Sequence, residues 1–412
     1  MGWFSRLRSA GVLDGMWTAA ASAGGKLQAL AVLGVAGATG GLPATGLVVL
    51  VMSTAILTVS VLDAGLTPQG TRLYANGRLD ARGSMLAPFA WRAVLHVPVG
   101  IGMFALLVLI TEHPESAAWW AVAQVAYAVT YHAAYSATGI AYGKFQFRRG
   151  ATLNAAVRLT TVPLLIWAGL AGSPLYALLL ILAVGEGTVA VLQYLLAARG
   201  ESTDSARADL ALARTWRYGV GPIANTLMNK SDTVIVAGVL TSAALGTYAV
   251  ASQAENAVTT LAMIPAGALI VHVARSGRGD ASHAKLAITV RVVAVTYAIG
   301  ALPFFIAPER MVELIFRVSL TNALPLRICL VAGVFSVLGG VLMQQLTGLG
   351  EDRAIVRIWV SAAIVSVIAM LGLSIAWGAV GAAFGALARD LFFFAYSRYS
   401  LTRSSHSPVP AA

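Results

Sequence analysis

Nine ionisable residues lie inside apolar runs of this chain: Lys26, Arg158, Glu186, Lys230, Asp232, Glu255, Arg291, Arg389 and Asp390. A charge at the centre of a bilayer costs about 2.5–3.5 kcal/mol on insertion scales, so such residues are kept for an internal cavity or a paired site. The chemistry open to them is binding. Bases can hold an anion through charge-assisted hydrogen bonds, and carboxylates can hold a cation or a proton. No catalytic constellation accompanies them. The six histidines are scattered without metal-ligand spacing and there is no phosphate-binding glycine loop, so no ATPase is encoded. No cofactor is expected, and energy must come from an ion gradient (H+ or Na+), the membrane potential, or substrate supply and removal.

Lys230 and Glu255 fall at equal depth on consecutive antiparallel spans, so they form either a buried salt bridge or a pair that separates when substrate enters. Asn225, Asn229 and Asp232 follow at i, i+4 and i+7, and Ser252, Glu255 and Thr259 make a second polar stripe, the pattern of a lined cavity. Lys26 has no carboxylate on its half of the first span. It either meets an anionic group in a water-filled cavity or pairs with Glu186. Arg158 shares a face with Asn154 and Thr161 and either snorkels to the cytoplasmic surface or turns inward. Arg389 and Asp390 are adjacent, so they are expected to point apart, with incomplete mutual neutralisation and one of them facing the interior. Arg291 and Arg327 are expected at the periphery. Lys26, Arg158, Lys230 and Arg389 are thus the candidate substrate-binding residues, and Asn229, Asp232, Glu255 and Glu186 the candidate gating or ion-coupling residues.

The elements that must position these residues are membrane helices. The chain is 58% hydrophobic and 11% charged, against about 25% charged in soluble domains. Apolar runs near the ~20 residues of a span predict twelve helices, at 12–34, 44–64, 86–110, 118–140, 151–170, 175–197, 216–239, 245–272, 286–307, 323–346, 355–376 and 379–400. The fold class is therefore all-α integral membrane. The polar, partly cationic interior fits a transporter better than a channel scaffold or a membrane enzyme.

Loop charges set the orientation. One side gathers Arg6, Arg8, Arg72, Arg78, Arg82, Lys144, Arg148, Arg149, Arg199, Arg207, Arg214, Arg275, Arg278, Lys285, Arg353, Arg357, Arg398 and Arg403; the other has Arg310, Arg317 and Arg327. Both termini are therefore expected in the cytoplasm of a multi-pass, bacterial-type plasma membrane protein. The net charge of +11 is a topology signal spread over short loops, which excludes a nucleic-acid partner. Gly77–Ala81 recurs as Gly277–Ala281, and Lys26 recurs as Lys230. This suggests a parallel repeat: a six-helix lobe over 1–200, a linker over 201–214, a second lobe over 215–403 and a disordered tail over 404–412. Pro163, Pro222, Pro265 and Pro303 are expected to bend their helices, and Trp119, Trp120 and Trp377 to sit in an interfacial belt.

Several stretches carry a family resemblance: Val61-Leu62-Asp63-Ala64-Gly65-Leu66 with Thr71-Arg72; Asn229–Asp232 running into Thr233–Gly238; Leu245-Gly246-Thr247-Tyr248-Ala249-Val250-Ala251; and Gly378-Ala379-Val380-Gly381-Ala382-Ala383. In order and spacing the chain resembles the polysaccharide-biosynthesis flippases, of the Wzx type, in the MATE-like multidrug/oligosaccharidyl-lipid/polysaccharide (MOP) exporter superfamily. That resemblance implies two parallel six-helix lobes in a V and alternating access. It also implies an undecaprenyl-diphosphate-linked oligosaccharide as the substrate moved outward, with membrane lipids, a polysaccharide polymerase and glycosyltransferases as partners. Related lipid II flippases carry fourteen helices where twelve are read here, and the sodium-holding carboxylates of some relatives are matched only at Asp232. A drug/cation antiporter of the same superfamily, a major-facilitator transporter and a non-transporting scaffold of a glycan-synthesis complex are the competing readings. In a Cys329→Ser background, Arg78→Cys and Arg278→Cys should react with impermeant thiol reagents from the cytoplasmic side only. Labelling from outside would overturn the topology.

Overall fold

The computed structural model of this protein describes residues 12–75, 86–110, 116–143, 146–198, 212–266 and 280–405. Among them the secondary structure is helical and no strand occurs, in keeping with the all-α fold class. The elements are α1 (Val12–Asp63), α2 (Leu66–Ala75), α3 (Leu86–Val94), α4 (His96–Ile110), α5 (Ala117–Gly143), α6 (Phe147–Leu170) and α7 (Leu175–Ala198). They continue with α8 (Leu212–Ala237), α9 (Ser242–Ala262), α10 (Asp280–Ile306), α11 (Pro308–Phe316), α12 (Leu324–Gly348) and α13 (Asp352–Ser405). Six helices among the described residues are long and apolar enough to cross a membrane by length and composition. Large apolar side chains cover their outward faces, Val184 at 71% and Ile368 at 68% exposure among them, as lipid contact requires and water would penalise.

Two of the long helices each hold two spans. In α1 the break is Gly41 (φ 65°), with Pro43 just beyond it. In α13 it is Trp377–Gly378, Gly378 having φ 61°. The halves of α13 return on one another, with Trp359 stacked on Phe393 at 4.9 Å and a Cβ on Gly381 falling against the Leu373 carbonyl. Small residues let membrane helices approach to backbone contact. The third span is broken between α3 and α4. Pro98 has no amide to offer the Val94 carbonyl, and the chain instead turns through Leu95 N–H to Arg92 O at 3.1 Å.

The chain divides into two compact units, one of Gly24–Lys230 and one built from Ser231 onward together with the start of α1 up to Ala23. The boundaries fall inside α1 and α8, beside Lys26 and at Lys230. In the first unit α5 is the central helix, packed on α2, α4 and α7. In the second, α12 packs on α9, α10 and α13.

Some expectations change. Helices α2 and α11 were not anticipated. The first is a short helix following the left-handed Ala64–Gly65 turn, and the second lies outside the apolar runs. The eighth span stops at Ala262 and passes into a 3-10 turn at Ile264–Ala266 that contains Pro265. Leu212–Arg214 already belong to α8, and Ser404 and Ser405 still belong to α13. Trp120 is buried against Tyr176 rather than placed in a belt, whereas Trp119 and Trp377 are exposed. The Gly77–Ala81 match, most of Gly277–Ala281 and the end of the tail lie outside the described residues.

Gly65 (φ 83°) rests against α8: a Cβ there would lie 2.2 Å from Thr215 O and 2.5 Å from Gly219 N. Gly65→Ala should therefore destabilise the protein by at least about 2 kcal/mol, combining left-handed strain with a backbone clash, as read by thermal unfolding in detergent. Wild-type stability in that variant would contradict the contact.

Candidate functional site

In the first unit, Arg158 on α6 and Glu186 on α7 close a two-pronged ion pair. Nε donates to Oε1 at 3.0 Å and Nη2 to Oε2 at 3.0 Å. Glu186 is 2% exposed. Parallel forks of this kind are the strongest geometry for a guanidinium and a carboxylate. Arg158 therefore turns inward rather than snorkelling, and Glu186 is engaged through both oxygens by Arg158. The sequence offered Glu186 as a partner for Lys26; the packing of α6 on α7 brings Arg158 to it. Behind the pair, Gln28 on α1 donates to Thr161 Oγ1 at 2.7 Å, and Asn154 is buried.

The guanidinium lies against α1 at Gly25, where a Cβ would stand 2.9 Å from Arg158 Nη1. A glycine is needed there because the arginine fills the space of a side chain. Lys26, half-buried, is the next residue. The named charges of this cluster are thus two cations, Lys26 and Arg158, and one carboxylate, Glu186.

In the second unit, Arg389 and Asp390 of α13 are joined directly. Arg389 Nε donates to Asp390 Oδ1 at 2.8 Å and Nη2 to Oδ2 at 3.0 Å. This corrects the expectation that adjacent residues point apart. The long arginine arm curls back, because a buried guanidinium gains more from a bidentate carboxylate than from an extended rotamer. Both side chains are buried. Nη1 also faces Asp232 Oδ2 of α8 at 3.6 Å. Asp232 is fixed by Tyr248 Oη, which donates to Oδ2 at 2.7 Å, and by the Thr233 amide, which donates to Oδ1 at 2.6 Å. Glu255 on α9 accepts from Thr259 Oγ1 at 2.6 Å. A Cβ at Gly333 would sit 2.8 Å from Glu255 Oε1 and 2.1 Å from the Tyr297 hydroxyl, so Gly333 is the gap through which α9, α10 and α12 meet. The named charges here are three carboxylates, Asp232, Glu255 and Asp390, and one guanidinium, Arg389.

The polar stripe on α8 is real: Asn229 Nδ2 donates to Asn225 Oδ1 at 2.8 Å. Lys230 is half-buried on the same helix. Arg291 and Arg327 are exposed, the latter with its guanidinium carbon 6.0 Å from the Phe305 ring centre. Sequence reasoning passed over Tyr248 as an acid-binding group, although it lies in the Leu245–Ala251 motif. It also treated the histidines as scattered, whereas His96 and His132 are buried side by side next to Asp63. The only available signal was the presence of histidines within apolar spans.

No protein-family model matches the chain, and no curated protein matches it by sequence. Solved structures do. An inward-facing multidrug-resistance MATE family transporter of the MOP superfamily is 13% identical with TM-score 0.66, over 94% of this chain and 96% of that one. The lipid II flippase MurJ in an inward closed conformation is 7% identical with TM-score 0.66, over 92% and 85%. A MOP superfamily transporter from Pyrococcus furiosus with a binding pocket of reversed polarity is 14% identical with TM-score 0.61, over 96% of each chain. The chain has the fold of these membrane transporters.

Removing one member of a buried pair strands the other, at a cost of about 3–5 kcal/mol. Glu186→Ala should lose stability on that scale, and Arg158→Met/Glu186→Leu should regain most of it, as followed by unfolding in detergent. Equal stability of single and double variants would contradict the pairing.

Proposed function

We propose that this chain is a flippase. It carries an undecaprenyl-diphosphate-linked oligosaccharide from the cytoplasmic to the outer leaflet by alternating access of two six-helix lobes, for surface polysaccharide synthesis. The observation that carries this reading is the first-unit cluster: Arg158 seated on Gly25, next to Lys26, with Glu186 as its carboxylate. A diphosphate crossing hydrocarbon needs cationic partners, and Lys26 and Arg158 are bases of that kind. The transporter fold supports transport, and one of the solved neighbours is a lipid II flippase. Lys26 and Arg158, with Lys230 and Arg389, are assigned to substrate; Asn229, Asp232, Glu255 and Glu186 to gating or ion coupling.

A drug/cation antiporter is the second reading, favoured by the buried carboxylates Asp232, Glu255 and Asp390 of the second unit. The two part at Lys26. In cells with this chain as sole flippase, Lys26→Ala should abolish surface glycan and accumulate lipid-linked precursor at the cytoplasmic face with expression intact, while Lys26→Arg retains part of the activity. Normal surface glycan with Lys26→Glu would refute the flippase assignment.

A further inference from the structure

A second buried polar cluster lies in the first unit, away from Arg158. The Asp63 carboxylate at the end of α1 is 3% exposed, His132 on α5 is 0% and His96 on α4 is 1%. Asp63 Oδ1 stands 3.4 Å from His132 Nε2, and His132 Nδ1 stands 3.3 Å from His96 Nε2. The three side chains form one line of titratable atoms from a carboxylate to an imidazole. At the line's far end His96 Nδ1 is buried with no hydrogen-bond partner among the described residues, and His132 Nε2 makes only the long approach to Asp63.

The order of the atoms fixes where protons sit. A carboxylate beside His132 Nε2 favours a proton on that nitrogen. His132 Nδ1 is then an acceptor, and His96 Nε2 must donate to it. This leaves His96 Nδ1 as a buried lone pair with no partner among the described residues. We propose that Asp63, His132 and His96 are a proton-binding site. One proton adds at His96 Nδ1; the Nε2 proton of His96 passes to His132 Nδ1; His132 becomes an imidazolium facing Asp63, whose Oδ1 can accept its Nε2 proton. Each transfer breaks one N–H bond and makes one N–H or O–H bond, and the line gains one positive charge.

The surroundings suit such a site. Asp63 Oδ1 also accepts from Thr67 N at 3.1 Å and Thr67 Oγ1 at 2.5 Å, and Ser136 lies 3.1 Å from that hydroxyl. The charged or titratable neighbours are Arg92 from α3 and Tyr135 from α5. From the remaining elements, α2 and α8 bring the hydroxyls of Thr67 and Thr215, and Phe89 of α3 covers His132 edge-on at 5.2 Å. Arg92 Nη1 donates to the backbone carbonyl of Asp63 at 2.9 Å and Nη2 to Thr215 Oγ1 at 3.1 Å. The proton site and the Ala64–Gly65 turn that seats α8 therefore share one residue. On the transport reading, the bound proton is the coupling ion.

The test is a titration of the full chain in lipid nanodiscs with 15N-histidine, whose six imidazoles are assigned by His96→Gln and His132→Gln. At high pH the wild type should hold His96 and His132 neutral with both protons on Nε2. As the pH is lowered they should take up one proton in a single shared step. Asp63→Asn should weaken that uptake about tenfold or more, and Asp63→Glu should largely preserve it. Imidazoles that stay neutral throughout, a His132 proton on Nδ1 at high pH, or a midpoint indifferent to Asp63→Asn would overturn the site. The wild-type arm needs no variant to fold. The titration needs no substrate, so its failure leaves the flippase reading standing, and failure of the Lys26 assay leaves the proton site standing.

Discussion

A guanidinium inside a helical membrane protein must find acceptors nearby, and two pairings with carboxylates organise the molecule. Arg158 closes on Glu186 inside the first unit, and Arg389 closes on Asp390 and faces Asp232 inside the second. Charges left alone at low dielectric cost several kcal/mol each, and a half-removed pair costs more than no pair. Arg158 and Arg389 are each met by carboxylates from helices of their own unit. The sites are thus part of the packing: Gly25 is open because Arg158 needs the space, and Tyr248 is wholly buried because Asp232 needs its hydroxyl.

The same economy explains the short motifs. Asp63-Ala64-Gly65 is a left-handed turn whose glycine touches the backbone of α8. Leu245–Ala251 is buried from end to end and delivers Tyr248 to the Asp232 that closes the Asn229–Asp232 stretch. Gly378 breaks α13 and Gly381 lets the return helix meet Leu373. The chain shares its fold with solved transporters at 7–14% identity.

The helices were legible because an apolar run of span length has few alternatives in a membrane. The charges were legible as exceptions to that rule. Their partners were not, because they depend on which helices touch and at what tilt. Glu186 was weighed as a partner for Lys26 rather than for Arg158, and Arg389 was expected to turn away from Asp390, since residue counting omits the reach of a four-bond arm. The histidines were invisible as a group for the same reason: 36 residues separate His96 from His132, and only the packing of α4 on α5 brings them together. Helices α2 and α11 escaped notice because an amphipathic segment of about ten residues has no span-length signal.

The central claim is that a cationic cluster inside a MOP-type fold serves an anionic lipid-linked substrate. Reconstitution tests it most directly. Purified protein is placed in vesicles whose lipid-linked oligosaccharide starts in one leaflet, and its arrival in the other is read with a membrane-impermeant glycan-modifying reagent. Transfer well above that of protein-free vesicles is the predicted result. Transfer no faster than in protein-free vesicles, with exchange of an organic cation by the same preparation, would contradict the account.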